Sequence, residues 1–407
     1  ARTAGLCAHG EVNLQGRILP ARGIVSVALA ARAQGCHTVL TGPEDAARCA
    51  VIPGIEVLGA PTVADALAWL AQHRPLPPVP PAPPWQPVAA PELADIRGHD
   101  TPKRALLVAA AGGHNLLFSG PPGSGKTALL RRLPGLLPAP DPEEALEVLK
   151  VHTAAGCPVP AQGRPFRAPH HTSSTASLLG GGTDVRPGEV TLAHRGVLFL
   201  DELPEFRRDA LEALRQPLES AEVTIGRARQ VVRMPADFLL VAAMNPCPCG
   251  YLGHPLRACR CPPALVDRYR SRLSGPLLDR IDLQVEVPAL DPACFRTTPA
   301  GTETTAGFRE QVVSARARQA ARQRRGGVTT WNGRLEDAAL HAACGAGERV
   351  LLLLEDLQRM HRLGTRARIR LLRIARTLAD LAERERITEE HVLEAACLRG
   401  CGLQPTY

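Results

Sequence analysis

Lysine is nearly missing from this chain. All but three of its 48 Lys and Arg residues are arginine, the exceptions being Lys103, Lys126 and Lys150. With abundant Ala and Pro, this points to a base-composition bias. The net charge of +8 therefore permits a nucleic-acid partner without demanding one. Aromatic residues make up only 3%, too few for extended base-stacking platforms of the kind that bind single strands. No apolar run approaches the roughly 20 residues that span a bilayer. The first residues, Ala1 to His9, lack the apolar stretch of a secretory signal. The expectation is a cytoplasmic protein with no membrane partner. Because the chain starts without Met, it is expected to be processed or to lack an earlier segment. Cysteine is plentiful, at twelve. In a reducing compartment that argues for metal or free thiols over disulfides. Eight of the twelve are scattered and read as small buried apolar residues.

The most informative segment is Gly120-Pro121-Pro122-Gly123-Ser124-Gly125-Lys126-Thr127. It is a complete G-x-x-x-x-G-K-[ST] phosphate-binding loop. The apolar run Asn115 to Phe118 before it reads as a buried strand, and Ala128 to Arg132 after it as a helix start. Glycines let the loop's N–H groups turn inward toward phosphate oxygens. Lys126 is placed to reach the outer phosphates, and the Thr127 hydroxyl to bind Mg²⁺. The expected ligand is a nucleoside triphosphate, ATP, with Mg²⁺.

A second strand, Gly196 to Leu200, ends in Asp201-Glu202. Asp201 is placed to hold Mg²⁺, and Glu202 to polarise the attacking water. A third, Phe238 to Met244, ends at Asn245. That amide is expected between the two acidic and phosphate-binding strand ends, where it reaches the γ-phosphate or the lytic water. Arg280 is a candidate arginine finger acting on a neighbouring subunit's nucleotide. Among Arg366, Arg368, Arg370, Arg373 and Arg376, Arg366 is the expected sensor reaching back to the phosphates. Arg368 and Arg370 read as a solvated basic face.

Cys247-Pro-Cys249 and Cys259-Arg-Cys261 form two C-x-C pairs nine residues apart. Four thiolates this close suit tetrahedral Zn²⁺ and would pin the loop after Asn245. Free thiols, a disulfide or an iron–sulfur cluster are the alternatives. His170 and His171 have no acidic or cysteine partner nearby in sequence. They read as an insert loop facing substrate or as an ordinary polar loop.

The chain divides into an α/β block at 1–73, a Pro-rich linker at 74–91, an α/β core at 92–290 and a mostly helical region at 291–407. Strands are expected at Glu11–Leu14 and Thr38–Leu40. Helices are expected at Val25–Gln34, Val63–Gln72, Phe308–Arg325, Val350–Met360 and Ala367–Glu383, and after an N-cap at Thr388.

Several strings resemble the magnesium-chelatase-like AAA+ ATPases of the YifB/ComM type. They are Arg164 to His171, Leu179 to Gly182, Arg186 to His194, Phe199 to Phe206, Leu214 to Glu219, Ala242 to Gly250, Tyr269 to Asp282 and Ile374 to Asp380. The resemblance implies an α/β fold: an AAA+ P-loop ATPase core with magnesium-chelatase-type inserts and a helical lid, preceded by a Lon-protease-like α/β domain. It also implies a hexameric ring that acts as a DNA helicase, promoting branch migration in natural transformation. By motif it assigns the ATPase roles to Lys126, Thr127, Asp201, Glu202, Asn245, Arg280 and Arg366.

Residues 1–73 match only the later half of the Lon-like domain. The family's catalytic Lys falls at Val25 and no serine segment precedes it, so peptidase activity is not expected. Support for DNA in the residues themselves is the basic helix Arg309 to Arg325 and the Arg-rich stretch Arg227 to Arg233; Glu222 to Arg233 reads as a hairpin projecting into a ring's channel or as an ordinary exposed charged hairpin. A metal-insertion motor and a non-catalytic nucleotide-binding scaffold are the competing readings.

Overall fold

Short apolar runs punctuated by turn residues set the first block. A computed structural model describes residues 4–80, 90–160, 163–182, 185–227, 230–290, 303–324 and 331–400. Strands β1 (Leu6–Ala8), β2 (Thr38–Thr41) and β3 (Glu56–Gly59) form a parallel sheet in that order. Helix α1 (Ile24–Ala33) lies between β1 and β2 in sequence and buries Ile24, Val25, Ala28 and Ala31. This stripe packs with Val39 and Ile52 and with Leu149 of a core helix. The block is thereby docked on the core, and Gly23 N–H donates to Thr153 O at 3.0 Å.

The expected strand Glu11–Leu14 stops at Val12 and pairs with Ile18–Leu19. Asn13 ends it. Its side-chain oxygen accepts from the backbone of Gln15 at 3.0 Å and of Arg17 at 2.9 Å, a local turn that competes with the ladder. Leu6–Ala8, too short to stand out in the sequence, is the strand the sheet uses instead. Of the Pro-rich linker, 81–89 lie outside the described residues.

The central sheet is wholly parallel. It contains β4 (Leu116–Ser119), β5 (Phe166–Arg167), β6 (Val197–Leu200), β9 (Leu239–Met244) and β10 (Leu283–Glu286), in the order β10-β4-β9-β6-β5. Between β6 and β9 the chain makes an antiparallel hairpin, β7 (Glu222–Arg227) and β8 (Gln230–Pro235); residues 228–229 at its turn lie outside the described residues. Every residue of β6 and β9 is buried, as expected where helices cover both faces. The strand order matters for chemistry. It places β9 between β4 and β6, so Gly120, Asp201 and Asn245 come to one edge, at the carboxyl ends of three neighbouring strands.

Helix α2 (Asp100–Gly112) precedes β4 and buries all of 105–112. α3 (Lys126–Leu130) follows the phosphate loop, and α4 (Pro142–Ala155) starts in a capping box between Asp141 and Glu144. The C-terminal helices include α5 (Thr305–Arg324), α6 (Glu348–Met360), α7 (Thr365–Leu381) and α8 (Glu389–Leu398), with a short helix, Asp337–Cys344, between α5 and α6. Thr388 stands at the N-cap of α8, and its N–H donates to His391 Nδ1 at 3.0 Å. One continuous apolar core runs from Leu106 and Phe118 through Val312 to Leu378 and Val392.

Fully buried Arg376 knits the helices together. It donates to the carbonyls of Ala343 (3.0 Å), Arg384 (2.5 Å) and Glu385 (2.6 Å) and to Asp380 at 2.8 Å, while Arg322 takes both Asp380 oxygens at 2.9 Å. Truncating Asp380 would leave buried Arg376 without its anion in a dry interior, a loss of roughly 3–5 kcal/mol.

Candidate nucleotide site

The phosphate loop is bent by glycines that nothing else replaces. Gly123 and Gly125 hold φ of 77° and 88°, a region that side chains with a Cβ enter at a cost. At Gly120 the constraint is space, since a Cβ would lie 2.1 Å from Val287 O. Lys126 is buried, and its ammonium donates to Gly120 O at 2.6 Å, Pro121 O at 2.8 Å and Asn245 Oδ1 at 3.2 Å. Burial pulls its pKa down and the charge of Asp201 opposes that. Ser124 Oγ is buried without a partner among the described residues. Such a cradle has donors to spare, as an anionic ligand requires.

Thr127 Oγ1 donates to Asp201 Oδ2 at 3.0 Å. The hydroxyl and carboxylate thus meet where a hard divalent cation would sit, so the donor set fits Mg²⁺. Glu202 follows in a left-handed conformation, φ 53°, uncommon for a residue with a side chain. Its own N–H donates to Asp201 Oδ1 at 3.0 Å, and its carboxylate is more than half exposed.

Here the structure adds a residue that the sequence left undecided. His171 Nδ1 lies 3.2 Å from Glu202 Oε2. Its ring lies 4.1 Å from that of His170, tilted by 34°, and meets Phe206 edge-on. The two partners are 31 positions apart in sequence. The available signal was their parallel strands, since β5 pairs with β6 and both segments follow those strands.

The four cysteines come together. Cys247 and Cys249 Sγ are 3.4 Å apart, and Cys259 Sγ lies 3.6 Å from each. All four sulfurs, Cys261 included, fall within 4.8 Å of one another. Thiolates around tetrahedral Zn²⁺ stand about 3.8 Å apart for Zn–S bonds near 2.3 Å, so the set fits that ion. Hydrogen bonds from the Tyr251 and Arg260 backbone bring the Cys249 thiol down to about 6. The loop touches the nucleotide machinery directly. A Cβ on Gly250 would lie 2.6 Å from the Pro122 ring, and Cys247 is two residues beyond Asn245.

The arginines lie elsewhere. Arg280 and Arg366 line one cavity of about 320 Å³ at the opposite edge of the sheet, where the strands begin. Asn115, just before β4, holds the Arg280 carbonyl at 2.9 Å. The guanidinium bonds Glu219 at 2.5 Å and Pro276 O at 2.6 Å. The structure does not bring Arg366 to the phosphate loop of its own chain, because α7 packs against the strand-start side of the core.

Nor is Arg370 on a solvated face. It bonds buried Asp282 at 2.8 Å. Burial alone would raise the Asp282 pKa, but the His114 hydrogen bond and the Arg370 charge outweigh it and hold the carboxyl at about 2. Arg368 is half-buried on Gln358 Oε1 at 2.9 Å, and Arg373 donates to Leu335 O at 2.6 Å. Among the described residues no helix is long and apolar enough to cross a membrane.

A family model described as magnesium chelatase, subunit ChlI, matches residues 92–294, and one for the C-terminal part of that subunit matches 302–399. The chain is 40% identical to uncharacterized protein Rv2897c of Mycobacterium tuberculosis over 97% of this chain and 78% of that protein. It is 39% identical to protein YifB of Salmonella typhimurium, covering 96% of this chain and 76% of that one. It is likewise 39% identical to competence protein ComM of Haemophilus influenzae, covering 95% and 76%.

Proposed function

The chain belongs to the magnesium chelatase subunit ChlI family, alongside YifB and ComM, and from that premise we propose an ATP-hydrolysing ring motor that acts on DNA. One observation carries the hydrolysis: Thr127 of the phosphate loop and Asp201 of the acidic strand end meet at 3.0 Å. Two sequence motifs 74 residues apart converge on one cation position.

Lys126 gives up the loop carbonyls and takes phosphate oxygens. Thr127 and Asp201 hold Mg²⁺, which when bound neutralises phosphate charge. Glu202 orients water for attack in line with the γ-phosphate, and Asn245 fixes the same phosphate from β9. Arg280 and Arg366, at the far edge, serve the nucleotide of the adjacent subunit. A head-to-tail ring is the closed arrangement that presents that edge to a neighbour's loop, and a hexamer is the expected size. The four cysteines hold Zn²⁺ and brace Pro122 and Asn245.

DNA is favoured as the substrate by the likeness to competence protein ComM and by the exposed hairpin β7–β8. The expected activity is helicase-like translocation during recombination or transformation. The test is ATP turnover with and without forked or single-stranded DNA at two salt concentrations. Stimulation that weakens as salt rises supports the proposal. Turnover indifferent to DNA favours a motor acting on a protein or metal-insertion partner, and no turnover favours a nucleotide-binding scaffold.

Stripping metal from the cysteine cluster should lower turnover several-fold. The brace has no part in hydrolysis if metal-free protein, verified by elemental analysis, turns over at the original rate.

A further inference from the structure

A small cavity of about 40 Å³ lies under the strand starts, away from the phosphate loop. Gly113 borders it ahead of β4, Gly196 ahead of β6 and Phe238 ahead of β9. Arg164, Arg195, Arg316 and Arg334 also line it. A wider cavity of about 420 Å³ along α4 and α5 adjoins it, sharing Glu144, Arg164, Arg195, Arg316 and Trp331.

Three of the four guanidiniums are matched by carboxylates. Arg164 donates to Glu144 at 2.5 Å, and Arg195 to Glu147 at 2.6 Å and Asp237 at 2.9 Å. Arg334 donates to Asp237 at 3.1 Å. Arg316 is the exception at this edge. It is buried, and its Nε and Nη2 both donate to one carbonyl, Ala110 O, at 3.1 and 2.7 Å. Its guanidinium covers the Trp331 ring, 3.8 Å from the centroid. Nη1, sealed from solvent, has no partner among the described residues. Asp141 and Glu143 are exposed and border only the outer cavity.

Four cations thus meet three carboxylates, and the excess charge sits on the group with two unspent N–H donors. Burial, and then the charge of Arg164, bring the Arg316 pKa down to about 9, with Glu144 opposing them. The guanidinium is still charged near pH 7. A buried charge without its opposite is costly. Water can bond Nη1 but cannot cancel that charge.

Size and wall chemistry select the ligand. At about 10–15 Å³ for each water-sized group, a cavity of about 40 Å³ admits roughly three. The N–H groups of Gly113, Gly196 and Leu239 are spent on backbone carbonyls, and Leu137, Phe238 and Leu239 add apolar surface. A tetrahedral oxyanion would bring four acceptor oxygens to this wall. A single-atom monoanion asks for fewer donors and cancels the one excess charge.

We propose that this cavity is a halide site, in which chloride on Arg316 Nη1 is the counterion that seats α5 on the core. The elements that meet there fit that role. Arg316 and Gln319 of α5 reach the last carbonyls of α2, Ala110 O and Ala111 O. Trp331 packs on Gly113 so closely that a Cβ there would lie 3.1 Å from the Trp331 Cβ. The site is separate from the phosphate loop, so the inference stands whether or not that loop binds a triphosphate.

The experiment is urea unfolding of the full chain without nucleotide, in chloride and in gluconate at equal ionic strength. Chloride is expected to make the unfolding equilibrium constant about tenfold smaller, as for a ligand at about ten times its Kd. The effect should reach a plateau with chloride concentration, unlike the exclusion of salt from the protein surface. Arg316→Gln, which keeps a donor for Ala110 O but loses the charge, should erase the difference between the salts. Glu144→Gln, which removes the carboxylate opposing the excess charge, should lower the chloride concentration at half effect. Crystals of the unchanged chain grown in bromide should show an anomalous peak beside Arg316 Nη1, a reading that needs no variant to fold. Bromide absent from the cavity, or a chloride effect that Arg316→Gln retains, would overturn the inference. Bromide bound there with no saturable effect on unfolding would overturn it too, leaving an adventitious ion only.

Discussion

The two edges of the central sheet are charged in opposite styles. At the strand ends, charge is left open. Lys126 rests on loop carbonyls it can exchange, Ser124 Oγ has no partner among the described residues, and Glu202 is more than half exposed. At the strand starts, buried charge is satisfied within the chain: Asp282 by Arg370 and His114, and Asp380 by Arg322 and Arg376. Arg280 is also held within the chain, on Glu219 and Pro276 O, but it lines the rim cavity together with exposed Arg366. An edge with unspent hydrogen-bonding capacity is built to receive a ligand, whereas an edge that closes on itself is built to hold. The ring proposed above would use the rim arginines as donors to another subunit's open edge.

Breaking the division between edges has the largest expected effect. Lys126→Ala and Arg280→Ala should each reduce kcat by about 10³-fold, the scale of losing a phosphate-binding lysine or an arginine finger. The mixture sharpens the comparison. If the edges work in different subunits, combining the two inactive variants places an intact loop opposite an intact Arg280 at some interfaces, and turnover partly returns. Steady-state ATPase rates of a mixing series would show it. A mixture as inactive as its components, in rings shown by light scattering to exchange subunits, would confine Arg280 to its own chain.

The same contrast explains what the sequence disclosed. The open edge was legible because each part is a short contiguous string at a strand end: Gly120 to Thr127, Asp201-Glu202 and Asn245. Backbone geometry and charge alone force those residue types there. The cysteine quartet was legible for the same reason, its members falling within 15 residues.

The closed edge was not, because its partners meet only through the fold. Arg370 and Asp282 are 88 residues apart, and Arg334 and Leu218 are 116 apart. An arginine-rich helix reads as a basic face until packing shows which arginines are buried. Arg366 is a case in point: it opens an arginine-rich helix, but only the direction in which α7 packs decides what it meets. In the first block, the strand expected at Glu11 to Leu14 lost to the turn that Asn13 makes with its own backbone.

Removing a charge from the closed edge should affect stability before chemistry. Asp282→Asn leaves Arg370 and His114 without their anion, a loss of roughly 3 kcal/mol, readable as a lower urea midpoint. The pH dependence fixes the sign. The folded pKa of about 2 lies below an unfolded value near 3.9. The Asp282 contribution is thus complete above about pH 4 and fades as pH falls toward 2. The stability gap between parent and variant should be constant from pH 7 to 5 and narrow in more acidic solution. A gap independent of pH throughout would mean that the carboxyl's charge is not what Arg370 reads.

The smallest effect tests whether the open edge is as unencumbered as its exposure suggests. His171 meets the Glu202 carboxylate at 3.2 Å, and a carboxylate held by an imidazole is not free to orient water. His171→Ala should raise DNA-independent turnover about threefold, within the modest range of one positioning contact, and shrink stimulation by DNA, while ATP affinity stays put. Asn in its place, which keeps a hydrogen-bond donor, should restore most of the restraint. If His171→Ala instead weakens ATP binding and leaves kcat alone, the imidazole serves the nucleotide rather than Glu202. The open edge would then have one more ligand-binding residue and no internal brake.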